Sequence, residues 1–599
     1  MAAAKKVHLG GKEVSKPSKM MLKLKLDGLR KLRGIMVRKA TTGGNWWDKL
    51  GKPQYGGEMV IRADRNIVNF DPYFSLNLTT INSAWMERLF ADDWTLDPAV
   101  WDYNVSVRPT QYVKGQLAET WEFPDPSTCL VHLRKGVHWQ DIPPANGREF
   151  IADDVVFHYN RLYGLSSDFT KPSTFRAGVT WFKDLISVTA TDKYTVVFKW
   201  KTPNPEFIMD ALRPPNPQRV FEAREAVEKW GDLSDWHHAI GTGPFILKDF
   251  VDGSSAMLVK NPNYWGYDER HPQNKLPYVD TVKYLIIPDD ATALEAIRGG
   301  KIDIIPQISS VHAQAIQKTN PEILQMPHGP PTFSIQPRND KAPFNDIRVR
   351  KAMQMALDLP TIAKDYYYNT VEPYPSSMTS RYMKGWGFLY EEWPQDLKDE
   401  YAYNPTAAKK LLAEAGYPNG FKTNIVADTT GNMEMLQIVK SYFAQVSLDM
   451  EIQPMESADW VAFVETNHKH DQLIYQPPGP LGLCCAPLRQ FNRFQTGSST
   501  NLQMISDPVF DGLCAKAMVS PSLDGVLRIL RDANEYVARQ HFAISLLQPR
   551  TYSLCQPWLK GFNAQFASTW TPASGPGMLS FYLGRFWIDQ NLKKSLGQQ

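Results

Sequence analysis

Adjacent carboxylates are the residues of this chain best equipped for chemistry, since two nearby acids can divide general-acid and general-base work. Three such pairs occur, Asp92/Asp93, Asp153/Asp154 and Asp289/Asp290. Neighbouring residues point in different directions along a strand or helix. Each pair also sits where a helix start or turn favours Asp. Histidine is the second candidate, but the twelve His are scattered, and only His237/His238 and His468/His470 lie close together. Solvated loops account for both pairs. The five cysteines (Cys129, Cys484, Cys485, Cys514 and Cys555) form no CxxC motif, and none has a His at zinc spacing. A disulfide among the later four stays open. GxSxG, HExxH and P-loop motifs are absent. Gly241-Thr242-Gly243 is followed by an extended run instead of a helix, which removes it as a phosphate loop. No catalytic residue, no metal site and no cofactor is therefore expected, and function should reside in binding.

At 599 residues the chain is too long for one ordinary core, so two or more packed units are expected. With 43% apolar and 22% charged residues, the composition is globular. The 18 Trp, 25 Tyr and 28 Phe would serve both large cores and a ligand wall. Charge is unevenly placed. Residues 1–56 hold fourteen Lys/Arg against three Asp/Glu, or +11, so the overall +3 leaves −8 on residues 57–599. The basic part reads as a flexible leader, with a surface-binding amphipathic helix over MMLKLKLDGLRKLRGIMV as the alternative. A nucleic-acid partner is not expected. Lys23, Lys25 and Asp27 interrupt the best candidate for a signal-peptide core, and no run of about 20 apolar residues is present to span a membrane.

The elements that would position a binding site are legible locally. Residues 117–164 read as a hairpin, with TWEF and CLVHL flanking the turn PDPST, followed by the helix IADDVVFHYNRLY and a stop at Gly164. Cys129, Val131 and Leu133 should share one strand face. A short helix is expected over INSAWMERLFADDW, with Trp85 and Leu89 on one side, and another from about Gln218 to Lys229. Residues 181–200 form a second hairpin. Val349, Ala352, Met353 and Ala356 mark a buried helical stripe. Asn404, Pro405 and Gly416 bound a further helix as N-cap, first residue and stop. Helices are also expected from Glu434 to Val446 and from Leu523 to Gln540, with strands over MEIQPMES and near Tyr475.

Several of these segments also resemble a known family in order and spacing. LAETWEF, HLRKGVHW and FIADDVVFHYNRL, then GTGPF and NPNYWG at 241–266, PFNDIRVRKAMQMALD at 343–358 and YNPTAAKKLLAEAGYPNGF at 403–421 are similar to the extracytoplasmic solute-binding proteins of the peptide/nickel/oligopeptide class (family 5) of ABC importers. The resemblance spans roughly residues 57–560. It implies a bilobal α/β fold of the large class C periplasmic-binding type, with two lobes joined by crossing strands and a ligand cleft between them. The lobes would comprise residues 57–330 (large lobe), 331–545 (small lobe) and 546–599 (return to the large lobe), after the 1–56 leader. It further implies a non-catalytic monomer located outside the cytoplasm, which takes up a solute by hinge closure and delivers it to a membrane permease.

In peptide-binding relatives a carboxylate in the loop after the second small-lobe strand holds the peptide's α-ammonium. The corresponding loop here, YQPPGPLGLCCAPLRQFNRF (475–494), contains no Asp or Glu. The position of an Arg that many relatives use for the peptide carboxylate falls near Tyr475 or Gln476 here, again without charge. Burying a charged terminus without a partner costs several kcal/mol, so a neutral, capped or differently anchored solute is expected. The pocket residues implied are Tyr475, Gln476, Leu483, Cys484, Phe333, Gln336, Arg338, Trp460 and Trp181. The alternatives are an intracellular or surface sensor or scaffold on the same fold, and a nickel or metal-chelate binder.

Overall fold

The computed structural model describes residues 45–598 except 68, 73–78, 83, 103–104, 106–108, 172–183, 209–219, 329–333, 377–378, 380–382, 430, 477–487, 489–490, 492 and 563–582. At 79, 80, 328 and 476 only the backbone is described. The chain divides into two compact units, Met1–Lys49 and Leu50–Gln599. The described residues of the first are 45–49, and the fold below is that of the second.

Alternation of apolar and polar residues builds the first hairpin. Strand Thr128–Leu133 buries Cys129, Val131 and Leu133 and pairs antiparallel with Ala118–Asp125 on one side and Thr195–Trp200 on the other. Leu185–Asp192 completes a four-stranded antiparallel sheet. Helix Ala152–Tyr163 packs on it through Val155, Phe157, Tyr159 and Leu162. It ends at Gly164, whose φ of 66° is the left-handed turn that glycine adopts without penalty. Cys129, Cys514 and Cys555 are buried free thiols.

Two larger sheets follow. The seven-stranded sheet runs Leu324–His328, Thr551–Cys555, Ile304–Ser309, Glu58–Ala63, Thr281–Ile286, Ser255–Lys260, Phe245–Val251. Its central strand Glu58–Ala63 is parallel to both neighbours. The five-stranded sheet runs Leu448–Met455, Phe421–Asp428, Leu473–Gln476, Ser334–Pro337, Ile544–Ser545. Its first three strands are parallel and its last two antiparallel to their neighbours. The chain thus leaves the first sheet after His328, enters the second at Ser334, leaves it after Ser545 and re-enters the first at Thr551.

The second sheet has its own core. Val349, Ala352 and Met353 of helix Ile347–Met355 and Leu436, Val439 and Phe443 of helix Met433–Gln445 cover one face, with Ala356 beside them. Helix Pro405–Glu414 begins as its residues dictate: Asn404 accepts the Ala407 N–H, Pro405 needs no donor, and Gly416 follows at φ 96°. Helix Leu523–Gln540 has the expected bounds.

Two expected helices differ. Residues 81–94 are not one helix: a short turn of helix at Thr79–Asn82 gives way to turns and then to strand Phe90–Asp92. Tertiary backbone pairing wins over local periodicity there, because Gly243 N donates to Trp85 O (2.8 Å) and Leu117 N to Arg88 O (2.9 Å). The second helix starts at Arg224 and ends at Trp230. The same pairing explains the GTG motif. A Cβ on Gly241 would lie 1.8 Å from the Trp85 carbonyl oxygen, so no other residue fits without moving the backbone. Gly241→Ala is therefore expected to destabilise the protein by about 3 kcal/mol in urea unfolding. An unchanged midpoint would show that this contact is not close-packed.

Candidate ligand-binding site

The site is framed by the two chain segments that cross between the large sheets. Strand Ser334–Pro337 lies between Leu473–Gln476 and Ile544–Ser545, with Ile335 opposite both Tyr475 and Ile544. Directly opposed residues share a face. Ile335 and Tyr475 accordingly enter the core beneath helices Ile347–Met355 and Met433–Gln445. Gln336 opposes Ile474 and so takes the other face, where Ile474 packs with Val426, Val464 and Trp460. Gln336 and Ser334 are both buried, and the Gln336 amide donates to Ser334 Oγ (3.3 Å).

The returning segment is fixed by side chains instead of a ladder. The Gln354 amide clasps Ser545, accepting its N–H at 2.7 Å and donating to its carbonyl at 3.2 Å. Gln548 N donates to Ser376 Oγ (2.7 Å), and Arg550 forms an ion pair with Glu372 (2.8 Å). Thr370, beside them, approaches Ser310 at 3.5 Å, on the helix that follows strand Ile304–Ser309 of the other sheet.

Sequence reasoning picked out Tyr475 but missed the rings around it. The Tyr475 hydroxyl is pushed well above its ordinary range by burial, then by Tyr367 and Tyr366. Tyr366 and Tyr367 meet edge to face at 4.7 Å, and the Tyr366 hydroxyl contacts Asn432 Oδ1 and Glu434 Oε2, both at 3.1 Å. Tyr374 stacks on Tyr390 at 4.6 Å. The signal was the run Asp365-Tyr366-Tyr367-Tyr368-Asn369, which reads as an aromatic helix end until the sheet brings Tyr475 to it.

Among the other expected pocket residues, Arg338 follows the crossing strand and is committed locally. Its guanidinium grips both oxygens of Asp340 (2.8 and 2.7 Å) and donates to the His470 carbonyl (2.7 Å). Trp460 lies on the opposite face of the sheet from Tyr475. Gln476 pairs in register with Ser334 through its backbone. Phe333, Leu483, Cys484 and Trp181 lie outside the described residues.

At least one member of each acid pair, and both members of each histidine pair, have structural partners. Asp154 caps its helix at Ile151 N and binds Arg148. Asp289 caps helix Asp290–Arg298, Asp290 pairs with Arg62 (2.7 Å), and Asp93 pairs with Lys114 (2.9 Å). His238 stacks on Trp230 at 4.0 Å, and His237 meets Asp235. His468 Nε2 lies 3.1 Å from the Ser499 carbonyl, but His470, expected in a solvated loop, is instead buried by tertiary packing, with its Nε2 2.7 Å from the Leu502 carbonyl.

Known proteins place this geometry. The model of the bacterial extracellular solute-binding proteins, family 5, middle region, matches residues 112–476. The chain belongs to this family. It is 26% identical over 475 residues to the periplasmic oligopeptide-binding protein OppA of Salmonella typhimurium, covering 75% of this chain and 81% of that protein. Its fold is similar to that of the periplasmic binding protein DppA of Helicobacter pylori, solved with the peptide STSA. That match has a TM-score of 0.68 at 20% identity over 90% of this chain and 99% of the other. The binding protein MoaA of Agrobacterium tumefaciens R10, solved with mannopinic acid, gives 0.64 at 20% identity over 89% and 99%. This family 5 protein therefore has the bilobal α/β periplasmic-binding fold, and its role is that of a solute receptor.

His470 is expected to make the stability of the fold depend on pH. Burial, together with the Arg338 charge, depresses its pKa to about 4, although the Leu502 carbonyl pulls the other way. A histidine held neutral in the fold but protonated near 6.5 when unfolded gives stability that is complete above pH 6.5. That stability is lost as pH falls toward 4. His470→Gln should remove about 2 kcal/mol of the stability difference between pH 6.5 and 4.5 in urea unfolding. Identical pH slopes in the two proteins would contradict this.

Proposed function

We propose that this receptor captures an oligomeric or otherwise neutral solute, with no free α-ammonium held in the usual way, in the cleft between its lobes, and hands it to an ABC importer permease outside the cytoplasm. The observation that carries the reading is the absence of Asp and Glu from residues 475–494, the loop that follows strand Leu473–Gln476. Arg338, the residue after the adjacent strand Ser334–Pro337, already has Asp340 as its counter-ion. The α-ammonium of a zwitterionic peptide therefore meets no carboxylate in that loop, and a buried unpaired charge is costly.

The lobes proposed are residues 57–330 with 546–599, and 331–545, meeting through the two crossing segments. Ligand would bind at the edge of the small sheet where the crossing strands meet it, within reach of residues from both faces. Tyr475, Gln476, Gln336, Arg338, Trp460, Phe333, Leu483, Cys484 and Trp181 are the proposed contacts. Aromatic walls with a few polar groups suit such a pocket. Closure would turn about the segments that Gln354, Ser376 and Glu372 hold. The relatives support breadth of ligand: one similar fold was solved with a peptide and another with mannopinic acid.

Mass spectrometry of solute released by denaturing protein purified from its native host tests the reading. A neutral, capped or sugar-like compound is expected. In calorimetry an N-acetylated, C-amidated peptide should bind at least tenfold more tightly than its free zwitterion, the factor set by burying one unpaired charge. Recovery of a linear peptide with free ends, bound more tightly than its capped form, would overturn it.

A further inference from the structure

A second cavity of about 740 Å³ lies away from the crossing segments, lined by residues of 115–136, 263–275 and 585, and by none from the five-stranded sheet. Its size suits a small molecule. Arg134 is built into its wall. The guanidinium lies 5.0 Å from the centre of the Trp265 ring, and its Nε donates to the Gln116 carbonyl (3.0 Å). An arginine has five N–H donors in a planar fork. Here the two terminal nitrogens have no partner among the described residues, while the ring contact and the Nε bond hold the group in place.

The support beneath Arg134 is buried and fully bonded. Glu87 is 2% exposed and accepts from Trp265 Nε1 (2.8 Å), the Tyr264 hydroxyl (2.8 Å) and the Gln116 amide (3.1 Å). One hydrogen-bonded group thus orients both the ring under Arg134 and the Gln116 residue that takes its Nε.

The charges around the cavity are unbalanced. Arg585 is taken by Glu269, and Asp268 by Arg270. Among the described residues, exposed Lys135 has only the Tyr194 ring near its ammonium (5.3 Å), and Lys275 reaches only the Pro262 carbonyl (3.4 Å). Glu119 is the one lining carboxylate without an ion pair among the described residues. Two lysines and a pre-oriented guanidinium therefore face one open acid.

We propose that this cavity is a second binding site, for a small organic anion whose carboxylate or phosphate group is gripped by the terminal nitrogens of Arg134. A planar fork of this kind matches both groups through two parallel bonds. The site would be occupied independently of the solute cleft.

Calorimetric titration of the full chain with inorganic phosphate and, separately, citrate at low ionic strength tests it. Saturable binding of at least one probe is expected, and the better probe distinguishes phosphate from carboxylate. Arg134→Gln should weaken that binding at least tenfold, as expected for loss of a charge-assisted pair. Lys135→Gln, an exposed change that leaves the Trp265 stack intact, should weaken it about threefold, and Glu119→Gln should tighten it about threefold. If Arg134→Gln does not fold, the opposite signs of the two surface variants decide. Absence of saturable binding by both probes, or surface variants that both match the parent chain, would overturn the proposal.

Discussion

The structure depends on one short strand being held between two others. Four residues, Ser334–Pro337, join the five-stranded sheet only because Leu473–Gln476 and Ile544–Ser545 flank them. Each flanking strand is itself short, so the sheet edge would be marginal in isolation. Burial of Ile335, Tyr475 and Ile544 in one core supplies what the few ladder bonds cannot. Since both crossings between the large sheets abut this edge, the same contacts join the sheets and shape the floor of the proposed cleft.

Side-chain clasps then take over where the ladder ends. Between Ser545 and Thr551 the backbone is held by Gln354 and Ser376, and the Arg550 side chain by Glu372. Such contacts can be exchanged one at a time, unlike a sheet register, in which a one-residue slip inverts every side chain. A rigid edge beside an exchangeable return is the arrangement that a hinge requires. The tyrosine group of Tyr366, Tyr367 and Tyr475 sits on the rigid part, so a wall built there would keep its shape through closure.

Much of the fold was legible in the sequence, because local signals and tertiary structure agree. The Asn404-Pro405 start, the Gly164 stop and the alternation at Cys129, Val131 and Leu133 each carry their own physical reason. Failure came at residues 81–94, where helical spacing was overruled by backbone pairing with the GTG segment and with Gln116-Leu117-Ala118. Nothing local announces a partner about 30 or 160 residues away. The site was less legible than the fold. Tyr475 and Gln336 are both expected in the pocket and do occupy adjacent strands, yet periodicity could not say that Trp460 lies across the sheet from Tyr475. Arg338 was visible as a cation, whereas its commitment to Asp340 and the His470 carbonyl needed three dimensions. The Glu87–Trp265–Arg134 stack had no sequence signature, since its members come from three distant segments.

The central claim is that two lobes close about the crossing segments when solute binds. Small-angle X-ray scattering of the full chain, with and without saturating solute recovered from the native host, tests it directly. Closure predicts a smaller radius of gyration in the bound state, returning to the free value once the solute is removed. Saturable binding with an unchanged radius of gyration would contradict the account.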